Sequence, residues 1–132
     1  MNAKRGSTAI EFSLILPVLL LLLAGIIDWA WFLFQQAAFV VATAHGARLA
    51  AGLAGETDPT TAATTEVRAW LDAFAVDGSG ATVAVLVVPD GLTGTVHVSA
   101  TLAHDPLFGL AGTPAQMGAT ADGVYYGGIY AP

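Results

Sequence analysis

A long run of apolar residues dominates the first third of the chain. Between Phe12 and Phe34 the one charged residue is Asp28, and the run is apolar on all sides. At about 1.5 Å per residue, a helix of this length spans roughly 34 Å, which exceeds the roughly 30 Å of a bilayer's hydrocarbon core. The pattern therefore predicts a transmembrane helix over residues 10–34.

The apolar run continues into an amphipathic segment, so one helix is predicted from Ser7 to about Ala54. Small residues recur at every fourth position of its second half, at Ala38, Ala42, Gly46, Ala50 and Ala54. This small-residue stripe allows another element to approach the helix backbone closely. Packing on the protein's own outer domain is the simpler use, and packing on a helix of another subunit is compatible with it along a different part of the stripe.

A short second helix is expected after the long one. Asp58 supplies an N-cap and Pro59 a first helical residue, and the apolar periodicity that follows ends near Gly78. The helix is therefore predicted to occupy the start of the outer domain.

Strict alternation follows between residues 93 and 103, where apolar residues face one side and polar residues the other. The apolar set is Val96, Val98, Ala100 and Leu102, and the polar set is Thr95, His97, Ser99 and Thr101. The segment PDGLTG before it is a turn signal, so a β-hairpin is predicted. A third strand is expected over residues 116–121, with a loose glycine-rich end after it.

These elements predict an α+β fold built on a long N-terminal transmembrane helix. Residues 1–6 form a polar leader, and residues 7–54 form the helix, which is transmembrane in 10–34 and outside the membrane beyond that. Residues 55–132 form a small outer domain with a short helix and an antiparallel sheet of two or three strands.

The charges predict an orientation in the membrane. Lys4 and Arg5 precede the apolar run, whereas Arg48 and Arg68 are outnumbered by acidic residues after it. The positive-inside rule then puts the N-terminus in the cytoplasm and the C-terminal domain outside. A net charge of −6 gives no basic surface for phosphates, so no nucleic-acid partner is expected.

The sequence contains no recognisable catalytic or metal-binding motif. There is no cysteine, and His45, His97 and His104 lack the spacing of metal ligands. We expect these histidines to be surface or packing residues, and we expect no catalysis, no metal and no cofactor.

Glu11 is an unusual charge at the start of the apolar run. It follows Arg5 by six residues, or roughly 9 Å along a helix, so it lies shallower than the bilayer centre. A charge at the centre costs about 2.5–3.5 kcal/mol on insertion scales, and a shallower one costs less. A hydrated carboxylate at the inner interface is the simple interpretation.

The order of a basic leader, a glycine, STAIE and an apolar helix resembles the class III signal peptide of type IV pilin-like proteins. There the leader is removed by prepilin peptidase, a membrane aspartic protease. The resemblance implies cleavage between Gly6 and Ser7, after Lys4 and Arg5, and makes Glu11 the fifth mature residue. It also implies that Glu11 pairs with the Ser7 amine of a neighbouring chain in a filament, while a partner within the same chain remains open.

The first 52 residues are similar to the TadE-like family of tight-adherence (Flp) pilus assembly proteins. The motifs that carry the similarity are RG, EF, LP, GIID and, later, GAR. Ala44 stands where that family usually has arginine, and His45 where it has a charged or polar residue. The resemblance implies a minor pseudopilin of the inner membrane. Its partners would be prepilin peptidase, other minor pseudopilins, the major pilin, the inner-membrane pilus platform and the lipid bilayer.

Two charged positions and two further functions remain open. Asp28 is expected to reach water at the outer interface, with an inter-subunit contact as the alternative. Arg48 either solvates the helix or pairs with an acid of the outer domain or of a neighbour. The chain is alternatively a permanently anchored envelope protein with a binding outer domain, or an exported protein whose apolar segment is removed.

Overall fold

The computed structural model describes residues 3–54 and 57–127, with side chains described from residue 10 onward. The elements in chain order are helix α1 (Ala3–Leu53), helix α2 (Thr60–Ala73) and strands β1 (Thr82–Asp90), β2 (Thr93–Ala103) and β3 (Gln116–Tyr126). A short 3₁₀ turn, Gly78–Gly80, precedes the sheet. The fold is α+β, with a long helix, a short helix and a three-stranded antiparallel sheet, as predicted.

Helix α1 has two differently covered halves. Most of its large apolar side chains before Phe34 are exposed, although Phe32 packs against the core, and the helix continues unbroken through Pro17. Among the described residues, one helix is long and apolar enough to cross a membrane, spanning Ile10–Leu53 with a mean hydropathy of 2.6 in its most apolar window. Outward apolar side chains on all sides need an apolar solvent. Helix α1 therefore fits a single-pass membrane protein.

The sheet has the order β1-β2-β3, with β2 in the centre. Asp90 pairs with Thr93, which leaves Gly91 and Leu92 as a two-residue turn. Gly91 has a φ of +61°, the left-handed conformation that tight hairpin turns require. Pro89 lies near the end of β1, an edge strand, where a missing N–H does least harm.

The core lies between the second half of α1, helix α2 and one face of the sheet. The predicted alternation of β2 is confirmed, since Val96, Val98 and Ala100 are fully buried while the intervening side chains are not. Helix α2 contributes Val67 and Leu71 to the same core. Burial of these apolar groups holds the two layers together.

The small-residue stripe packs inside the protein's own domain. Ala38, Ala42 and Ala50 are buried in the core, and Ala54 is half-buried. A Cβ on Gly46 would lie 2.5 Å from Cγ2 of Val67, so only glycine fits against α2 here. The first four positions of the stripe are thus unavailable to a helix of another subunit.

Strand β3 continues to Tyr126, five residues beyond the predicted end. A Cβ on Gly123 would lie 2.5 Å from the carbonyl oxygen of Ala47, so glycine lets the strand pass close to α1. The expectation of a loose glycine-rich end is therefore wrong up to Tyr126, because tertiary contact overrides the weak local preference of glycine for strands. Residues 128–132 lie outside the described residues.

Helix α2 begins at Thr60, one residue later than predicted, and it ends earlier than predicted. Oδ1 of Asp58 accepts the Thr60 N–H at 2.9 Å and the Thr60 hydroxyl at 2.6 Å, and Pro59 already has helical dihedral angles. The helix ends at Ala73 and not near Gly78, because Ala75 takes a φ of +56° and reverses the chain. The Asp58 carboxylate thus stabilises the turn that leads into α2.

Two carboxylates that cap turns are sensitive to acid. The hydroxyl and backbone N–H of Thr60 lower the pKa of Asp58, and those of Ser79 lower the pKa of Asp77. A lowered folded-state pKa stabilises the fold above the unfolded value of about 3.9, and this contribution is lost as pH falls through the folded value. Both groups therefore favour the folded domain near neutral pH.

We predict that the variant Asp58→Asn/Asp77→Asn loses less thermal stability between pH 6 and pH 3 than the native chain. Asparagine keeps an acceptor oxygen but does not titrate, so its caps are independent of pH. Thermal unfolding in a non-ionic detergent, followed by near-ultraviolet circular dichroism, measures the difference. An equal loss in both proteins would contradict the assignment.

We predict that Gly46→Ala destabilises the outer domain by about 1–3 kcal/mol, because the new methyl overpacks the contact between α1 and α2. Gly52→Ala is the matched control on the same helix, since nothing lies within 4 Å of its Cβ position. Alanine should leave stability unchanged there or raise it by up to about 1 kcal/mol. Denaturant unfolding of both variants tests this, and equal midpoints would refute the close packing.

Candidate functional site

The loop that joins β2 to β3, residues 104–115, returns to α1 where the apolar run ends. We call it the β2–β3 loop. Its position depends on Asp28, whose side chain is 0% exposed. Oδ1 of Asp28 accepts the Phe108 N–H at 2.8 Å, and Oδ2 accepts the Leu110 N–H at 3.1 Å. Both carboxylate oxygens therefore have a backbone donor in place of water.

This geometry overturns the expectation that Asp28 reaches water. A carboxylate removed from water is tolerated when hydrogen bonds replace its hydration, and bonds to a charged acceptor are the stronger kind. The two partners lie 80 and 82 residues further along the chain. A local sequence pattern contains no sign of such a contact.

Glycine shapes the loop around the carboxylate. Gly109, between the two donors, has a φ of +70°, which residues with a side chain rarely adopt. The turn at Gly109 brings the N–H groups of Phe108 and Leu110 to the same carboxylate, an arrangement typical of backbone anion sites. The site is therefore already occupied by an anion of the protein itself.

Further polar side chains of α1 hold the two ends of the loop. Trp29 donates Nε1–H to the carbonyl of Ala111 at 3.2 Å, and Gln35 Oε1 lies 2.8 Å from Nδ1 of the buried His104. The N–H of His104 also bonds to the carbonyl of Ala115 at 3.0 Å, which closes the loop. The loop is thus attached to α1 at several levels.

The outer edge of β3 is attached to α1 by a single amide. Gln36 donates Nε2–H to the carbonyl of Gly118 at 2.6 Å and accepts the Gly118 N–H through Oε1 at 3.2 Å. The Gln36 side chain thereby makes the two hydrogen bonds to Gly118 that the backbone of a neighbouring strand would otherwise make.

Sequence reasoning missed Gln35 and Gln36, although a signal was present. Positions seven apart lie on nearly the same side of a helix. Asp28 and Gln35 share one side of α1, and Trp29 and Gln36 share the next. Few residues in this part of α1 are polar. The spacing of seven between Asp28 and Gln35, and between Trp29 and Gln36, therefore indicates which side of the helix contacts the loop.

The N-terminal motif lies at the other end of the apolar segment. Glu11 is exposed on α1, roughly 26 Å along the helix from Asp28. The backbone of Lys4, Arg5, Gly6 and Ser7 lies within α1, and their side chains lie outside the described ones. The structure brings Glu11 and Asp28 into no common site.

Arg48 is exposed on the distal half of α1. Among residues 10–54 and 57–127 it makes no ion pair. This agrees with a solvated side chain, and a contact with a neighbouring subunit stays a prediction.

The three histidines have separate surroundings. His45 stacks on Trp70 at a centroid distance of 4.0 Å, His104 is buried, and Nδ1 of His97 lies 2.6 Å from Oδ1 of Asp122 on the outer sheet face. Within the described ranges, no group of three or more His, Cys, Asp or Glu could hold a metal ion. These are packing and surface positions.

Comparison with known proteins identifies the N-terminal part of the chain. Residues 6–48 match the model of the family described as TadE-like protein, which confirms the suspected resemblance over these residues. The match includes Gly6, Glu11 and Asp28. No curated protein and no solved structure matches the chain.

We predict that Asp28→Asn releases the β2–β3 loop from α1. The neutral amide offers one acceptor oxygen and turns an NH₂ group toward the other backbone donor, which is left without a partner. Hydrogen exchange at the amides of Phe108 and Leu110 should accelerate by roughly tenfold or more. Asp105→Asn, an exposed change in the same loop, is the control. Unchanged exchange in Asp28→Asn would contradict the anchor.

Proposed function

We propose that this chain is a minor pseudopilin of a tight-adherence (Flp) type IV pilus. Prepilin peptidase trims it between Gly6 and Ser7, after the basic pair Lys4 and Arg5. The observation that carries the proposal is the TadE-like match over residues 6–48, which begins at the glycine before the cut and includes Glu11.

The shape of helix α1 supports a role in assembly. Between Ile10 and Phe34 most of its large apolar side chains are exposed, whereas its second half is embedded in the outer domain. The protein thus presents a long apolar helix attached to a folded head. Such a helix is soluble in lipid, and in a filament the helices of neighbouring subunits replace that lipid.

Glu11 has a specific role in this proposal. Trimming creates an α-amine on Ser7, four residues before Glu11, at the edge of the hydrocarbon. An amine and a carboxylate in low dielectric each gain from pairing. In a staggered filament the carboxylate of one chain meets the amine of the next, so the pair sets the register between subunits.

The proposal includes a location and partners. The protein lies in the inner membrane as a single-pass chain, with its N-terminus in the cytoplasm and its outer domain in the periplasm or beyond. Its partners are prepilin peptidase, other minor pseudopilins, the major pilin and the inner-membrane pilus platform. The excess of basic residues before α1 supports this orientation.

A permanently anchored envelope protein with a binding outer domain is the second candidate. The observation that favours it is the outer face of the sheet, where Leu86, Val124 and Tyr126 are exposed around the His97–Asp122 pair. Exposed apolar side chains on one sheet face are typical of interaction surfaces.

An exported protein that loses its apolar segment is disfavoured by the packing. Asp28 lies within that segment and holds the β2–β3 loop, and Phe32 packs against the core. Removal of the segment would leave two loop N–H groups unpaired and part of the core uncovered.

The N-terminus of the protein purified from its native cells separates the first two candidates. We predict a chain that starts at Ser7, determined by intact mass and N-terminal peptide sequencing. A chain that starts at Met1 in cells with active prepilin peptidase would overturn the proposal and favour the permanent anchor.

We predict that Glu11→Ala abolishes pilus assembly while membrane insertion stays intact, because the Ser7 amine loses its partner. Glu11→Gln is a stricter variant, since it keeps the size of the side chain and removes only the charge. Ser13→Ala, two residues away on exposed α1 surface, is the control. Electron microscopy counts the pili, and membrane fractionation checks insertion. Normal piliation of Glu11→Ala would show that the pairing is wrong.

A further inference from the structure

Three large apolar side chains lie exposed in the β2–β3 loop. Leu107 is 57%, Phe108 55% and Leu110 57% exposed. Loops that face water are usually polar, and an exposed apolar cluster of this kind marks an interaction surface. What covers the cluster depends on where the loop lies.

The loop lies along the apolar half of α1. Phe108 and Leu110 form one wall of an apolar groove of about 570 Å³. The other wall belongs to α1, and its residues are Pro17, Leu20, Leu21, Leu23, Ala24 and Ile27. On the opposite flank, Ala111 lines a second apolar groove together with residues of α1 from Leu22 to Leu33. The loop therefore contacts α1 on two sides, in the part of the helix that precedes the core of the outer domain.

The depth of the loop follows from helix geometry. If the hydrocarbon begins near residue 10, where the sequence predicts that the transmembrane helix starts, its far boundary falls near residue 30. Ile27 then lies roughly 5 Å inside that boundary and Leu20 roughly 15 Å inside it. The N–H groups of Phe108 and Leu110 bond to Asp28, which lies roughly 3 Å inside that boundary, so the loop backbone lies close to the boundary. The side chains of Phe108 and Leu110 share a groove with Leu20 and Ile27, so they extend into the outer half of the hydrocarbon layer.

Irregular backbone at this boundary gains from hydrogen bonds within the protein, because hydrocarbon offers none. The N–H groups of Phe108 and Leu110 bond to Asp28, and the carbonyl of Ala111 accepts from Trp29. The buried carboxylate of Asp28 thus has a structural role, because it supplies hydrogen-bond acceptors to a chain segment that leaves water.

We propose that residues 106–111 form a re-entrant wedge in the outer leaflet, with Leu107, Phe108 and Leu110 in contact with lipid acyl chains. The occupant is lipid because the cluster is continuous with the outward apolar surface of α1, which the membrane covers. The wedge requires a chain that spans the membrane. It does not depend on trimming at Gly6 or on a pilus, so it goes beyond the proposed function.

Cysteine labelling tests the wedge, because the native chain contains no cysteine. The variants Leu107→Cys and Leu110→Cys are reconstituted as full chains in phosphatidylcholine/phosphatidylglycerol vesicles, and a charged, water-soluble maleimide is added outside. Maleimides react with the thiolate, a form that apolar surroundings disfavour. Labelling should be roughly tenfold or more slower than that of Leu92→Cys, at the 76% exposed hairpin tip.

Two reference variants make the result decisive. Leu23→Cys reports a lipid-facing position of α1, and its rate should match those of the loop variants. Leu92→Cys checks that the outer domain faces the added reagent. Loop rates within about twofold of Leu92→Cys would place the loop in water and overturn the proposal.

Nitroxide labels on the same cysteines distinguish lipid from protein. In lipid, the label at Leu107→Cys collides more often with oxygen than with a water-soluble nickel chelate, as at Leu23→Cys. Exclusion of both reagents, with broadening by a second label nearby, would mean that another copy of the chain covers the cluster, and the lipid wedge would be wrong. Because neither readout involves the N-terminus or pili, failure here leaves the proposed function standing.

Discussion

The hydrogen bonds between the buried Asp28 carboxylate and the N–H groups of Phe108 and Leu110 are the constraint on which the architecture depends. A carboxylate inside an apolar helix and a loop backbone away from water are each unfavourable alone, and each satisfies the other. The contact fixes the loop along α1, and with it the end of β2 and the start of β3. The sheet is thereby oriented against the helix.

The two halves of helix α1 have different surroundings, and the sizes of their residues differ accordingly. The first half carries leucine and isoleucine, which pack well against flexible lipid or against neighbouring helices. The second half carries alanine and glycine, because β3 and α2 approach its backbone within contact distance at Gly46 and Ala47. A single continuous helix thus connects the apolar segment rigidly to the folded outer domain.

Much of the fold could be predicted from local patterns. The alternation of Val96 and Val98 identifies the buried face of β2, and Asp58 identifies the start of α2, because each signal lies within a few residues. The partner of Asp28, the pairing of Gln36 with Gly118 and the length of β3 arise from contacts about 80 residues apart. The motif around Glu11 is identifiable by resemblance because it is a local stretch of sequence within the family match, whereas the loop anchor is visible only after folding.

The pairing of Gln36 with Gly118 blocks part of the outer edge of the sheet. Sheets that grow through their edges need free backbone groups on an outer strand. On β3 the side chain of Gln36 occupies those of Gly118, and on the opposite edge Pro89 has no N–H to offer. Both edges are therefore protected at these points against pairing with a further strand. Aggregation by strand addition, as in amyloid, is thereby disfavoured at Gly118 and at Pro89.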